Sequence, residues 1–115
     1  MTITLYGIPN CDTVKKARAW LDGAGITYAF HNYKTVGAPH EKLAAWAAQV
    51  GWEKLLNRAG TTFRKLPDAD REGIDQAKAL ALMVEHPSLI RRPVIEYPGG
   101  LLVGFDAIRY GEVLR

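Results

Sequence analysis

The chain has 115 residues, of which 48% are hydrophobic and 23% are charged. This length and composition predict one globular domain over residues 1–115 and exclude a largely disordered chain. The formal net charge is +3, and the basic residues are scattered without interleaved aromatic residues, which disfavours a nucleic-acid partner. Because the chain has no apolar run of about 18 residues and its start lacks a signal-peptide pattern, we expect a cytoplasmic protein with no membrane partner.

The first third of the chain predicts a strand, a helix and a second strand. Residues 2–8 are rich in β-branched and aromatic side chains, and residues 26–30 alternate in polarity as a strand does. Between them, Asp12 or Thr13 is expected to cap a helix that ends at Gly23. The apolar stripe of that helix comprises Val14, Ala17 and Leu21.

The middle of the chain predicts an all-helical insertion over residues 35–90. In chain order, the pattern predicts a turn at 36–39, a helix over 41–51, a short helix over 52–56, an irregular segment over 58–66 and a helix over 67–85. The last of these helices is expected to stop before Pro87.

The end of the chain returns to strands. Residues 93–97 and 101–104 predict two strands joined by a hairpin turn, and Asp106 is expected to cap a final helix. A β-α-β unit followed by a β-β-α unit can complete one four-stranded mixed sheet with helices on its faces. The fold class is therefore α/β.

Cys11 is the one cysteine of the chain, so an internal disulfide is excluded. It lies where the first strand ends and the first helix begins, a place where unpaired N–H groups and the helix dipole favour a thiolate. Lys15, one turn further on, can add positive charge, whereas Asp12 opposes a second anion unless its carboxylate caps the helix. A free cysteine is also often a small buried hydrophobic residue, and that interpretation stays open at this point.

A dithiol oxidoreductase needs a second cysteine three residues after the first, and Val14 occupies that position. A redox cycle through Cys11 therefore requires an external thiol, for which glutathione is the abundant cytosolic candidate. The three histidines have no metal-like spacing, and no nucleotide-binding glycine motif is present. We expect no metal and no bound cofactor, with glutathione acting as co-substrate.

The segment Leu5–Ala17, which contains Ile8-Pro9-Asn10-Cys11, resembles the arsenate-reductase-like ArsC/Spx family and most closely its YffB branch. The other segments that carry the resemblance are Gly51–Asn57, Gly60–Leu66 and Arg91-Arg92-Pro93. They follow one another in the family's order, so the resemblance covers nearly the whole chain.

The resemblance implies a thioredoxin-like fold with a helical insertion, Cys11 as the nucleophile and Arg92 as an anion-binding residue. The remaining residues assigned to the substrate site are Asn10, Asp12, Thr13, Lys15, Arg64 and Pro93. The family resemblance also implies glutathione as co-substrate, with glutaredoxin and RNA polymerase as further candidate partners. The default oligomeric state for so small a domain is a monomer.

The chain departs from the family's arsenate reductases at their arginines. Val103-Gly104-Phe105 stands where they have an arginine after the hairpin, and Asn57, followed by Arg58, stands where they have one after the Leu-Leu pair. Ala59 stands where YffB-like chains have an arginine before Gly-Thr-Thr. Arg58 is a candidate substitute. This incomplete set argues against efficient arsenate reduction and favours a glutathione-dependent thiol reductase. The alternatives are an Spx-like regulator that binds RNA polymerase without turnover, and a fold in which Cys11 is inert.

Overall fold

The structure is a computed structural model that describes residues 2–37 and 39–114. The chain forms two compact units: one runs to Val36 and resumes at Arg92, and the other spans Gly37–Arg91. The predicted turn at 36–39 includes Ala38, which lies outside the described residues. Val36 itself is the last residue of a short helix.

The first unit contains a four-stranded mixed sheet with the strand order β2-β1-β3-β4. The strands are β1 (Thr4–Gly7), β2 (Ala29–Asn32), β3 (Val94–Tyr97) and β4 (Gly100–Val103). Strand β1 pairs with β2 in parallel and with β3 antiparallel, and β3 and β4 form an antiparallel hairpin. This topology confirms the predicted mixed sheet and the thioredoxin-like fold class.

The described residues form eight α-helices, several of which are single turns. They are α1 (Asp12–Gly23), α2 (Tyr33–Val36), α3 (His40–Val50), α4 (Trp52–Leu55), α5 (Thr61–Arg64), α6 (Asp68–Arg71), α7 (Gln76–Glu85) and α8 (Ala107–Leu114). A short 3-10 helix covers Pro87–Leu89. No helix of the described chain is long and apolar enough to cross a membrane.

The core of the first unit joins the sheet to α1 and α8. Its buried residues alternate along the strands and recur at helical spacing, which is why one face of each element is apolar. They are Ile3, Leu5, Val14, Ala17, Leu21, Ile95, Leu102, Tyr110 and Leu114. The predicted stripe of α1 is therefore confirmed, with all three of its members fully buried.

Strand β2 lies further along the chain than predicted. The expected strand over 26–30 is wrong at its start. The residues that follow α1 still take part in the turn and hydrogen bonds that end the helix. Gly25 adopts φ 71°, and the Ile26 N–H donates to the Leu21 carbonyl at 3.0 Å. The strand begins at Ala29 and continues to Asn32, which lies opposite Gly7 of β1.

The second unit is helical: α3, α4 and α7 pack against one another, and Trp46 of α3 is fully buried. The single helix predicted over 67–85 is wrong. Helix α6 ends at Arg71, Gly73 adopts φ 60°, and the Asp75 carboxylate begins α7 by accepting from the Lys78 N–H at 2.9 Å. The segment predicted to be irregular contains the single turn α5.

The final helix begins as predicted. The Asp106 carboxylate accepts from the Ile108 N–H at 3.0 Å, which confirms it as the cap of α8. The Tyr110 hydroxyl reaches back to the Gly104 carbonyl at 2.6 Å, and the Gly104 N–H donates to the Pro93 carbonyl at 2.8 Å. These bonds tie α8 and the end of β4 to the residue that precedes β3.

Candidate active site at Cys11

Cys11 is the N-cap of α1, in an extended backbone conformation with φ −94° and ψ 126°. Its carbonyl accepts the first helical hydrogen bond, from the Lys15 N–H at 2.9 Å. The expectation that Asp12 or Thr13 caps this helix is wrong, because the helix begins one residue earlier and Asp12 is its first residue. The thiol therefore stands directly before the unpaired N–H groups of the first turn.

Gly7 at the end of β1 lies in close contact with Val14 in the first turn of α1. A Cβ added at Gly7 would lie 2.8 Å from Val14 Cγ2, which is closer than real Cβ contacts allow, and Val14 is fully buried. Only glycine lets the first turn of α1 approach the end of β1 this closely. The four residues between them, Ile8 to Cys11, form the loop that carries the thiol.

The surroundings of Cys11 favour its ionised form. Partial burial acts to raise the pKa of the thiol, but it is outweighed by hydrogen bonds from the Val14 and Thr13 N–H groups and by a hydrogen bond and positive charge from Arg92. The net result is a pKa below its ordinary value of 9.0. Cys11 is also partly exposed, so the sulfur combines thiolate character with access from solvent.

Sheet pairing brings Arg92 to this sulfur. Strand β3 runs antiparallel to β1, with Val94 opposite Tyr6, so its beginning lies beside the end of β1 from which the Cys11 loop departs. Arg92 immediately precedes Pro93, and the peptide bond between them is cis. Pro93 is buried, whereas the Arg92 side chain is only partly so.

The other residues assigned from the sequence are distributed between the two units. Asn10, Asp12, Thr13 and Lys15 are exposed around the start of α1. The parts of Thr13 and Lys15 that contact Cys11 are their backbone N–H groups.

Arg64 is exposed at the end of α5, in the second unit. Arg58, the candidate substitute arginine, holds its guanidinium 5.2 Å from the centre of the Trp52 ring in that same unit.

A partly buried cluster of Tyr6, His31, Tyr33 and Glu96 was not predicted from the sequence. The Tyr6 hydroxyl donates to the Glu96 carboxylate at 2.5 Å, and the His31 ring lies 4.9 Å from the Tyr6 ring. Tyr33, at the start of α2, places its ring 5.7 Å from His31 and is 3% exposed. These residues meet through sheet pairing between distant segments, which local patterns do not encode. A signal was available only for His31, which lies near the predicted end of the second strand.

This arrangement can present a nucleophilic sulfur beside a fixed cation. The N–H groups of the first turn and the Arg92 guanidinium both stabilise negative charge at one point, which suits a thiolate or a bound anion. The described residues hold no group of three or more His, Cys, Asp or Glu side chains arranged for a metal ion.

Two solved structures share this fold and much of the sequence. The YffB protein is 52% identical, with a TM-score of 0.96 over 98% of this chain and 99% of that chain. An arsenate reductase (ArsC) related protein from Brucella melitensis is 51% identical, with a TM-score of 0.78 over 100% of this chain and 96% of that chain.

Proteins similar in sequence also match most of the chain. An uncharacterized protein of Haemophilus influenzae is 41% identical over 94% of this chain and 95% of its own length. The global transcriptional regulator Spx of Streptococcus pneumoniae is 30% identical over 90% of this chain and 79% of its own length. Residues 6–113 match the sequence model of the ArsC family. The chain therefore belongs to the ArsC family.

Proposed function

We propose that this protein is a glutathione-dependent thiol reductase whose nucleophile is Cys11. The observation that carries the proposal is the convergence of the Val14 and Thr13 N–H groups and the Arg92 guanidinium on one partly exposed sulfur. A sulfur in such a setting is a thiolate at a lower pH than free cysteine, and the thiolate is the attacking species in disulfide exchange.

The proposed reaction has two exchange steps. In the first, the Cys11 thiolate attacks a mixed disulfide of glutathione and a substrate thiol; a bond forms between Cys11 Sγ and the glutathione sulfur, and the substrate leaves as a thiolate with the electron pair of the broken S–S bond. In the second, a glutathione thiolate attacks the Cys11 adduct, which releases glutathione disulfide and restores the Cys11 thiolate. Glutathione is the reductant, and the substrate disulfide is reduced.

An external thiol is required because the chain has no second cysteine. The position three residues after Cys11 belongs to Val14 of α1, whose side chain is fully buried in the core of the first unit. That position therefore serves packing. The glutathione that resolves the adduct must approach from solvent, with glutaredoxin as a candidate alternative donor of the resolving thiol.

Arg92 has two proposed roles in this cycle. It stabilises the attacking thiolate, and once the sulfur is in a disulfide its guanidinium can bind an anionic group of glutathione, which carries two carboxylates. The second role distinguishes glutathione from a neutral thiol of the same reactivity. We propose arsenate as a poor substrate, since the chain lacks two of the arginines that the resemblance leads one to expect.

The proposal is tested by following Cys11 through one cycle. Incubation with glutathione disulfide should add one glutathione to the intact protein, as detected by mass, and excess glutathione should remove it. Turnover on a small glutathione mixed disulfide should be detectable in an assay coupled to glutathione reductase, and Cys11→Ser should abolish both. A wild-type protein that forms no adduct, or a Cys11→Ser variant that keeps its turnover, would falsify the proposal.

A second candidate function is favoured by one observation, the 30% identity with a transcriptional regulator of the same family. In that case the protein would bind RNA polymerase without turnover. The two candidates separate in a binding experiment with purified RNA polymerase and in the turnover assay. Retention on the polymerase by wild type and Cys11→Ser alike, with no turnover by either, would favour the regulator.

A further inference from the structure

Tyr33 carries a buried hydroxyl group that the structure leaves without a hydrogen-bond partner. The residue is 3% exposed, and its hydroxyl contacts no donor or acceptor in the described part of the chain. Buried polar groups in native proteins are nearly always bonded, so an exception calls for an explanation. By contrast the equally buried Tyr110 hydroxyl is satisfied by the Gly104 carbonyl at 2.6 Å.

The topology places Tyr33 near the candidate active site, at the end of the sheet where β1 and β2 finish. Tyr33 directly follows β2, whose last residue, Asn32, lies opposite Gly7 at the end of β1. The Cys11 loop leaves from that end of β1, and Arg92 approaches it because Val94 of β3 lies opposite Tyr6. The end of β1, the end of β2 and the start of β3 therefore lie side by side, although they are distant in sequence.

The charges around Tyr33 agree with this placement. Burial raises the pKa of its phenol far above the usual range, the neighbouring Tyr6 and Glu96 add to the rise, and the Arg92 guanidinium opposes it. The phenol is therefore neutral, and its oxygen can accept a hydrogen bond from a cation. The charged or titratable groups near Cys11 include Arg92 at the sulfur and Asp12 and Lys15 in the adjoining first turn of α1. Those near the Tyr33 phenol include Tyr6, His31, Arg92 and Glu96.

We propose that Tyr33 is a positioning residue for Arg92, whose guanidinium donates to the Tyr33 oxygen whenever Cys11 carries no negative charge. In the structure the guanidinium bonds to the sulfur and the Tyr33 hydroxyl has no partner, which is the arrangement expected of the thiolate form. In the glutathione adduct the Cys11 sulfur is neutral and no longer offers the Arg92 guanidinium a negative charge. The guanidinium then donates its hydrogen bond to the Tyr33 phenol oxygen instead. Tyr33 thus competes with the thiolate for Arg92.

This competition stabilises the neutral forms of Cys11, the thiol and the disulfide, relative to the thiolate. The inference rests on the proposed function only because it assumes that Cys11 cycles between a thiolate and a mixed disulfide. Protonation of the Cys11 thiolate to the thiol tests the same competition without any substrate. In the reaction cycle this stabilisation lengthens the lifetime of the Cys11–glutathione adduct, so that a second glutathione can attack it.

The test compares wild type, Tyr33→Phe and the matched control Tyr110→Phe, which also removes one buried hydroxyl. Two quantities are measured: the pH midpoint of alkylation of Cys11 by iodoacetamide, and the equilibrium ratio of glutathione adduct to free thiolate in glutathione buffers, read by intact mass. Tyr33→Phe should shift the alkylation midpoint to lower pH and reduce the adduct ratio by about tenfold, the size expected for one hydrogen bond from a charged donor. Tyr110→Phe should leave both unchanged.

Thermal unfolding of the reduced proteins separates this role from a purely structural one. Tyr33→Phe should be no less stable than wild type, because the hydroxyl makes no bond in the thiolate form, whereas Tyr110→Phe should be less stable. An unchanged or raised alkylation midpoint in a folded Tyr33→Phe variant overturns the inference. If wild type forms no adduct at all, the proposed function fails, and the alkylation midpoint still decides the role of Tyr33.

Discussion

The Arg92 guanidinium donates a hydrogen bond to the sulfur of Cys11, although Cys11 lies in the first third of the chain and Arg92 in the last. The contact depends on the antiparallel pairing of β1 with β3, which places the start of one strand beside the end of the other. It supplies both a bond and a positive charge, and with the Val14 and Thr13 N–H groups it outweighs the effect of burial on the pKa of the thiol.

Substitution of Arg92 should therefore make Cys11 less reactive. Arg92→Gln keeps a hydrogen-bond donor but removes the charge, so the thiol pKa should rise and alkylation at neutral pH should slow by about tenfold. Alkylation rates measured across a pH series give the midpoint directly. The neighbouring Arg91 is exposed, and Arg91→Gln serves as the control that should alkylate like wild type. Equal midpoints for the two variants would show that the guanidinium does not act on the sulfur.

The lowered thiol pKa also predicts a pH-dependent contribution to stability. The pKa of Cys11 is lower in the folded chain than the ordinary value of 9.0, so the folded state binds this proton less readily than the unfolded state does. The resulting stabilisation is fully present above the unfolded pKa and is lost as the pH falls through the folded pKa. The difference in free energy of unfolding between wild type and Cys11→Ser should shrink accordingly as the pH is lowered.

Urea denaturation of both proteins at a series of pH values measures that difference. The series should stop near pH 10, because buried Tyr33 and Tyr110 have raised pKa values. Their neutral forms stabilise the fold below the unfolded tyrosine value of 10.0, and that contribution is lost as the pH rises beyond it. A wild-type minus Cys11→Ser difference that stays constant with pH would contradict the prediction.

Local patterns in the sequence account for the elements that hold the thiol. The strand β1 and the stripe of α1 were predictable because alternation and helical spacing are properties of contiguous residues. The break between α6 and α7 was missed because the apolar face continues through it, and the Asp75 cap and Gly73 decide the backbone there. Strand β2 was placed too early because hydrogen bonds at the end of α1 reach to Ile26.

The chemistry of the site was predictable only in part. The position of Cys11 between a strand and a helix follows from its neighbours, and Arg92 was assigned through a family resemblance rather than from spacing. The cluster of Tyr6, Tyr33 and Glu96 could not be predicted from local patterns, since its members come from β1, from the residue after β2 and from β3. Contacts between distant segments depend on strand order and register, which local patterns within one segment do not reveal.

The close approach of Gly7 to Val14 predicts a steric defect at the site. Gly7→Ala would place a methyl group against Val14 Cγ2, so the start of α1 should shift and the protein should lose about 1–3 kcal/mol of unfolding free energy. The Cys11 alkylation rate should fall as well. Denaturation and alkylation of the same preparation measure both effects.

Two further variants identify the cause of that loss. Val14→Ala in the Gly7→Ala background removes the clashing methyl groups, so the double variant should lose less than the sum of the two single losses. Gly111→Ala is the control, because a Cβ there meets only Trp20 Cζ2 at 4.0 Å, an ordinary contact. Additive losses for Gly7→Ala and Val14→Ala would contradict the steric explanation.

Arg18 provides a link between α1 and the segment that enters β2. Its Nε donates to the Tyr28 hydroxyl at 2.9 Å, and its guanidinium lies 4.3 Å from the centre of the Phe30 ring. Arg18→Lys keeps the charge but loses the planar group that stacks and bonds at the same time, so the free energy of unfolding should fall by about 1 kcal/mol. Urea denaturation measures the loss, and Lys16→Ala, at an exposed position of the same helix, should leave stability unchanged.

A double-variant cycle with Tyr28→Phe separates the two interactions of Arg18. Tyr28→Phe removes only the hydroxyl that accepts from Nε, so its loss should be smaller than that of Arg18→Lys. The loss from the double variant should fall short of the sum, because both changes break the same hydrogen bond. What remains of the Arg18→Lys loss in the Tyr28→Phe background then reports the contact of the guanidinium with the two rings, that of residue 28 and that of Phe30. If Arg18→Lys unfolds like wild type, the contact of the guanidinium with the two rings contributes nothing measurable to the fold.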